Sequence, residues 1–311
     1  MKKVLVTGAT GFVGANLVRR LVREKYEVHI LKRKASDIWR IKDISSELYI
    51  YNIDLTEKTL LSKLMNKVRP QFIFHLANLG LYGGIDSTLE ESVKVNLFGT
   101  FNLIDGLEKV GYECFINTGS SSEYGIKTSP MAEDEICQPE TNYALTKLAA
   151  TLYAKSYAKI NNKPIVTLRL FSPFGPFDHS SRFIAQAILK MQKGQTVSVR
   201  NPNALRDYIF IDDVIDAFTL CIKNYSKLSG EIINIGRGSQ ISMKYMVELL
   251  AKQIGSKTKI IFGKPIKDKN MWQADIRRAK LKLGWTPKTN LAKGVRTTLE
   301  WFKQNSHYYG Q

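Results

Sequence analysis

Apolar positions in the first half of this chain switch repeatedly between two periods. The run "KKVLVTG" is short and β-branched and ends in glycine. "FVGANLVRRLVREKY" then carries apolar residues at helical spacing, and "EVHILKR" returns to a strand. The alternation continues with "LYIYNID" as a strand, "LLSKLMNKV" as a helix, "FIFHLA" as a strand and "SVKVNLFGTFNLIDGLEKV" as one long helix. "CFINTG", "YALTKLAATLYAKSYAKI" and "IVTLRLF" repeat it once more. Strands alternating with helices predict an α/β fold, a parallel, doubly wound sheet with helices on both faces.

The rhythm changes after "RLFSPFGP", where Pro173, Gly175 and Pro176 interrupt it. The second half mixes helices ("RFIAQAILKMQKG", "SMKYMVELLAKQIG") with short strands ("TVSVR", "KIIFG"). This predicts a nucleotide-binding domain over residues 1–171 and a smaller C-terminal α/β substrate domain over 172–311, with part of 207–240 returning to the first. Neither a low-complexity linker nor an internal repeat interrupts the chain.

Between the first strand and the first helix, "TGATGFVG" places Gly8, Gly11 and Gly14 at G-x-x-G-x-x-G spacing, with Phe12 inside it. Glycine allows the tight turn and lets backbone N–H groups approach a pyrophosphate at the positive helix end. A Rossmann-type dinucleotide site is therefore expected. The second strand ends "ILKRK", with Lys32 and Arg33 where an acid would receive the ribose hydroxyls of NAD. That favours NADP(H), with NAD(H) as the other candidate. Asp54 and Leu55 follow the third strand at the adenine edge, and Leu76 and Ala77 form the wall beside the pyrophosphate. His75 reads equally well as a structural histidine at a strand end.

Charge and cysteine content alter this picture little. The 311 residues carry a formal net charge of +18, spread along the chain with no basic–aromatic cluster of the kind a nucleic-acid module shows. Nucleic-acid and membrane partners are not expected. The three cysteines are far apart and suit neither a disulfide framework nor a metal site, and the N-terminus lacks a signal-peptide pattern. A cytoplasmic protein is the expectation.

The chemistry-bearing stretch is "GSSSEYG", followed by "YALTK". Tyr143 and Lys147 lie four residues apart on a predicted helix, so they share one face. A phenol with a pKa near about 10 is a poor base at neutral pH, and an ammonium one turn away favours its phenolate. Glycine turn, strand-end serines and Y-x-x-x-K helix, in this order, resemble the extended short-chain dehydrogenase/reductase family, in its nucleotide-sugar epimerase, dehydratase and 4-ketoreductase branch. The likeness runs the full chain: "VNLFGTFNL", "LRLFSPFGP", "RDYIFIDDV" and "ADIRRAKLKLGWTP" are similar to family segments in register.

The resemblance implies a nucleoside-diphosphate sugar as substrate. It implies that Ser120 or Ser121 joins Tyr143 at the sugar C4 oxygen, and that Lys147 also holds the nicotinamide ribose. Asn96 falls among the active-site neighbours. Arg206 grips the diphosphate, unless it is spent on neighbouring Asp207, and Arg182 and Arg277 are further diphosphate candidates. Trp272 or Met271 packs the base or sugar. Ser172 stands where the family has an asparagine. The family's "RPGD" is replaced by "KPIKD", leaving Lys264 or Lys267 as point charges. A homodimer is implied, through the apolar faces of "SVKVNLFGTFNLIDGL" and "LAATLYAKSYA".

In the branch's dehydratases, a glutamate stands two positions before the tyrosine of "YG". Here Ser122 takes that place and Glu123 comes one step later, which turns the carboxylate to the other side. Elimination is thereby disfavoured. Reduction of a nucleoside-diphosphate 4-keto-6-deoxyhexose is the preferred reading and 4-epimerisation the alternative. A 4,6-dehydratase or a non-catalytic dinucleotide-binding protein stands further off.

Overall fold

The computed structural model describes residues 1–80, 87–266 and 271–309. Seven strands form one parallel sheet: β1 (Lys3–Thr7), β2 (Glu27–Lys32), β3 (Leu48–Asn52), β4 (Phe72–His75), β5 (Cys114–Ser120), β6 (Ile165–Leu170) and β7 (Ile232–Ile235). Their spatial order is β7-β6-β5-β4-β1-β2-β3. β1 pairs with both β2 and β4, so the winding direction reverses between β1 and β4. The carboxyl ends of the strands diverge there and open a crevice for ligands. Near-continuous burial of Val4–Thr7, Phe72–His75 and Cys114–Ser120 is what a sheet covered on both faces requires.

Among the described residues ten α-helices flank this sheet and build the second half: α1 (Phe12–Arg23), α2 (Lys58–Val68), α3 (Leu89–Ser92), α4 (Gly99–Gly106), α5 (Asn142–Ile160), α6 (Phe183–Gln192), α7 (Ile211–Asn224), α8 (Met243–Ile254), α9 (Arg277–Leu283) and α10 (Leu291–Asn305). The single long helix expected over 92–110 is instead α3, a π-helical stretch at Val93–Phe98, and α4. The wider π turn places Asn96 inward, where it is buried. α3 opens on a capping box between Thr88 and Glu91.

Beyond β6 the sheet elements shrink to two-stranded pairs. Pro173–Phe174 pairs with Ile209–Phe210, Leu205–Arg206 with Ile241–Ser242, and Val197–Val199 with Ile260–Phe262. The two-residue strands are too short for any periodicity to announce them, whereas Val197–Val199 and Ile260–Phe262 fall within the expected strands "TVSVR" and "KIIFG". β7 lies in the large sheet beside β6, with Ile232 opposite Thr167 and Ile235 opposite Leu170. One continuous apolar core joins β1, β4 and α1 to α6, α7, α8 and α10. Among the described residues no helix is long and apolar enough to cross a membrane.

Candidate active site

The glycine turn follows β1 at the point of reversal. Gly8 has φ +71°, and a β-carbon there would lie 2.6 Å from Ala77 N and 2.7 Å from Leu76 C. Both its conformation and its packing against the end of β4 therefore require glycine. Gly14 lets α1 close on the turn, since a β-carbon there would meet Gly8 O at 2.1 Å. Gly11 is the N-cap of α1, whose first turn carries neither a capping side chain nor an acid. Its N–H groups and the positive end of its dipole suit an anionic pyrophosphate.

A cavity of about 210 Å³ lies against this turn. It is lined by Gly8, Gly11, Lys32, Arg33, Asp54, Leu55, Leu76 and Ala77, so the cofactor candidates from four strand ends converge. Lys32 is partly used within its own loop: Nζ donates to the carbonyls of Arg33, Lys34 and Ser36 at 3.2–3.4 Å. Arg33 is exposed. Asp54 accepts from the backbone N–H and hydroxyl of Thr56, both at 2.9 Å, and so shapes the turn into α2. Phe12 and Gly14 do not line the cavity. Phe12 is packed in the core, with the Arg182 guanidinium 5.4 Å from its ring centre.

Asn96 and His75 hold this wall in place from behind. Asn96 Oδ1 accepts from Leu79 N at 2.7 Å, while Nδ2 donates to Leu79 O and Thr146 Oγ1, each at 3.0 Å. The loop after β4 is thus tied to the helix of Tyr143. Thr100 donates its hydroxyl proton to Asn96 O at 2.7 Å, so it accepts from His75 Nε2 at 3.0 Å. That leaves His75 Nδ1 as acceptor from Thr7 Oγ1 at 2.7 Å. Burial and then the nearby Lys147 lower the imidazole pKa to about 3, so it is neutral and structural.

The serines end β5. Ser120 Oγ accepts from Ser122 N at 3.1 Å and caps the 3₁₀ turn Ser121–Tyr124. Ser121 Oγ accepts from Trp272 Nε1 at 3.2 Å. Ser122 is half-buried. Glu123 does not share this face. Its carboxylate is fully buried against Ser120 N, Thr151 and Arg169. Tyr143 is half-buried in the first turn of α5, which Thr141 caps through Ala144 N. Lys147, one turn on, is buried, and burial lowers its ammonium to about 8 while Glu123 acts to raise it.

From the second half, the Arg206 guanidinium lies 5.0 Å from the centre of the Trp272 ring, and Trp272 N donates to Gln240 Oε1 at 2.8 Å. Arg206, Trp272 and Ser121 therefore form a connected set. The pairing of Arg206 with Asp207 does not occur. Asp207 accepts instead from the backbone N–H groups of Arg237, Gly238 and Ala274 at 2.6, 3.0 and 3.0 Å, bracing the segment that carries Trp272. Burial still pushes this carboxyl up to about 6. Arg182 pairs with buried Asp178 at 2.9 Å. Arg206 and Arg182 both act on buried Tyr208, whose phenol burial pushes up to about 12. No feature of "RDY" announced that the Tyr208 phenol would feel both cations.

Arg277 stands apart from this set. It is 89 % exposed and grips Asp275 with its fork of donors, so it is spent on a surface pair beside Glu133 and Arg278. Ser172 turns the chain after β6 at φ +21°, and its carbonyl accepts from Ile209 N at 3.3 Å. Met271 N donates to Lys127 O at 2.8 Å, Lys264 is exposed, and Lys267 lies outside the described residues.

A reversal-point cavity with a glycine turn, serines ending the central strand and a Tyr–Lys helix define a Rossmann-type enzyme that uses a nicotinamide dinucleotide. The model of the NAD dependent epimerase/dehydratase family matches residues 4–236, and the chain belongs to that family. It is 29 % identical to a UDP-glucuronate 4-epimerase of Thermodesulfobacterium geofontis over 97 % of this chain and 96 % of that one. It is 28 % identical to a dTDP-4-dehydro-6-deoxyglucose reductase of Escherichia coli over 94 % and 95 %. The crystal structure of a UDP-glucuronic acid 4-epimerase from Bacillus cereus, in complex with UDP-glucuronic acid and NAD, superposes with a TM-score of 0.87 at 27 % identity. That superposition covers 98 % of this chain and 99 % of the other.

Proposed function

We propose that the protein is a nucleoside-diphosphate-hexose 4-epimerase that retains its dinucleotide through the catalytic cycle. The observation that carries the reading is that no carboxylate stands in the elimination position beside the strand-end serines. Ser122 is there instead, and Glu123 is buried elsewhere. Among the described residues the site is equipped to move a proton at one hydroxyl, and the position that would serve elimination at C5 and C6 holds Ser122. The bound dinucleotide supplies the hydride chemistry. Tyr143 takes the C4 hydroxyl proton with Lys147 favouring its phenolate, and a strand-end serine, Ser120 or Ser121, hydrogen-bonds the same oxygen. Arg206, with Arg182 nearby, holds the diphosphate. Trp272 packs the base or sugar, and Ser122 and Ser172 flank the sugar.

Two 4-epimerases among the relatives named above support epimerisation over the net reduction that the sequence by itself favours. Reduction of a 4-keto-6-deoxyhexose remains the second reading, because Lys32 and Arg33 do line the cofactor cavity, as NADP(H) would require. We also propose a homodimer through α5 and the stretch from α3 to α4, where Phe98 of the π turn and Leu145 and Leu152 of α5 are exposed.

Denaturing the purified protein and identifying any released nucleotide separates the readings. Tightly held NAD, with conversion of UDP-glucose or UDP-glucuronate to its 4-epimer, is expected. Stoichiometric NADPH consumption on a 4-keto sugar, without epimer formation, would establish the reductase instead. Tyr143→Phe should lower turnover by at least about a hundredfold in either case. Unchanged turnover would remove the catalytic assignment.

A further inference from the structure

Glu123 has no part in the reaction proposed above, yet three different elements hold its carboxylate. Oε1 accepts from Ser120 N–H at the end of β5 at 2.7 Å and from the Thr151 hydroxyl of α5 at 3.1 Å. Oε2 accepts from Arg169 Nε of β6 at 2.7 Å. Gly119 makes room for this arrangement. A β-carbon there would lie 2.8 Å from Glu123 Oε1 and 2.9 Å from Arg169 Cγ. Thr151 is one turn beyond Lys147, which is one turn beyond Tyr143, so all three belong to one stripe of α5. Stability alone does not account for such a group, since an apolar pair of similar volume commonly serves a core as well as a buried ion pair does.

We propose that Glu123 is a positioning residue for the Tyr143–Lys147 pair: it pins the serine end of β5 to α5 and supplies the buried negative charge that faces Lys147. The proposal rests on Tyr143 and Lys147 being the proton-transfer pair. Burial works against the Lys147 ammonium, and Glu123 is the group that works for it. The other titratable groups nearby in these elements do not replace it. His75 of β4 is neutral, Tyr143 shares the helix, and the Arg169 charge of β6 is matched by Glu123 itself.

The test is a titration of the lysine side chains by NMR of ¹³Cε-lysine protein, with Lys147→Met assigning the Lys147 signal. In Glu123→Gln the Lys147 midpoint should fall by about one pH unit, and the alkaline limb of kcat should move down with it. A folded Glu123→Gln protein whose Lys147 midpoint is unmoved would overturn the proposal. Should that variant fail to fold, Glu123→Gln/Arg169→Met is compared with Arg169→Met, from which it differs only by the Glu123 charge, and the same two outcomes are read between them. Thr151→Val keeps the charge and cuts the tether. It should lower kcat several-fold with the midpoint unmoved, and an unchanged kcat would overturn the pinning role. The titration needs no sugar, so a shifted midpoint in a protein inactive on every nucleotide sugar would refute the proposed function while leaving the coupling of Glu123 to Lys147 established.

Discussion

Gly8→Ala is the smallest change that should disable the cofactor groove. At φ +71° alanine costs about 1–2 kcal/mol relative to an ordinary conformation. Its β-carbon would lie 2.6 Å from Ala77 N, a backbone atom that cannot swing aside. Moving the Leu76–Ala77 backbone strains the end of β4, at about 1–3 kcal/mol, and loosens the 3.1 Å bond from Ala77 N to Thr7 Oγ1. Alanine recovers about 0.4–1 kcal/mol by restricting the unfolded chain. The net is a loss of about 3 kcal/mol, divided between folding and ligand binding. Taken wholly in affinity, that is roughly a hundredfold. Gly194→Ala is the matched control, because it has a similar φ of +66° but no atom within 4 Å of its β-carbon. Calorimetric titration of cofactor-stripped protein with dinucleotide, beside thermal melts, would measure both parts. Gly8→Ala should lose affinity and several degrees of Tm, whereas Gly194→Ala should lose about 1 kcal/mol of stability and no affinity. If the two variants behave alike, the close approach of the turn to β4 is not what shapes the groove.

Two further outcomes follow from the cofactor side of the site. The His75 pKa is about 3 in the fold and about 6.5 in an unfolded chain. Between those values the unfolded chain binds the additional proton, so stability falls as pH drops below about 6.5, by up to about 1.4 kcal/mol per unit. Urea midpoints at pH 7 and pH 5.5 should therefore differ more in wild type than in His75→Gln, and equal differences would count against a buried neutral imidazole. Arg33→Gln should weaken NADPH about tenfold more than NADH if a charge-assisted bond to the extra phosphate is made. Lys32→Met should weaken both alike by loosening the 33–36 loop, and equal losses in both variants would remove the case for NADP(H).

The large sheet was legible because its first six strands are short runs rich in β-branched, aromatic and leucine residues, most of them set between helical spacings, and the central strands are buried on both faces. The groove was legible for the same reason, since its glycines, Lys32, Asp54 and Leu76 are all fixed by proximity to a strand end. What escaped depends on contacts far apart in sequence. Asp207 reads as a partner for Arg206 only while the segments 237–238 and 274 are out of view, because their three N–H groups claim the carboxylate. Arg277 reads as a diphosphate ligand until Asp275, two residues earlier, takes its guanidinium at the surface. The π turn at Val93–Phe98 has the same apolar spacing as an α-helix over so short a span, so only packing could reveal it.

Glu123 shows where pattern stops and packing decides. Alternation along a strand says that a carboxylate moved by one residue faces away from the substrate, and on that ground it could have ended in solvent or on any surface. It ends in the core because β5 stops at Ser120 and the next four residues form a 3₁₀ turn that reverses the side chain beneath the strand. There Gly119 leaves the space, and Arg169 and Thr151 present donors. A buried carboxylate without those donors would be costly enough to change its protonation or its place. The same three contacts that make the burial tolerable also bind the strand end to the Tyr–Lys helix. Keeping Glu123 off the serine face and holding it against the helix of Tyr143 and Lys147, the pair proposed to move the proton, are therefore consequences of one geometry.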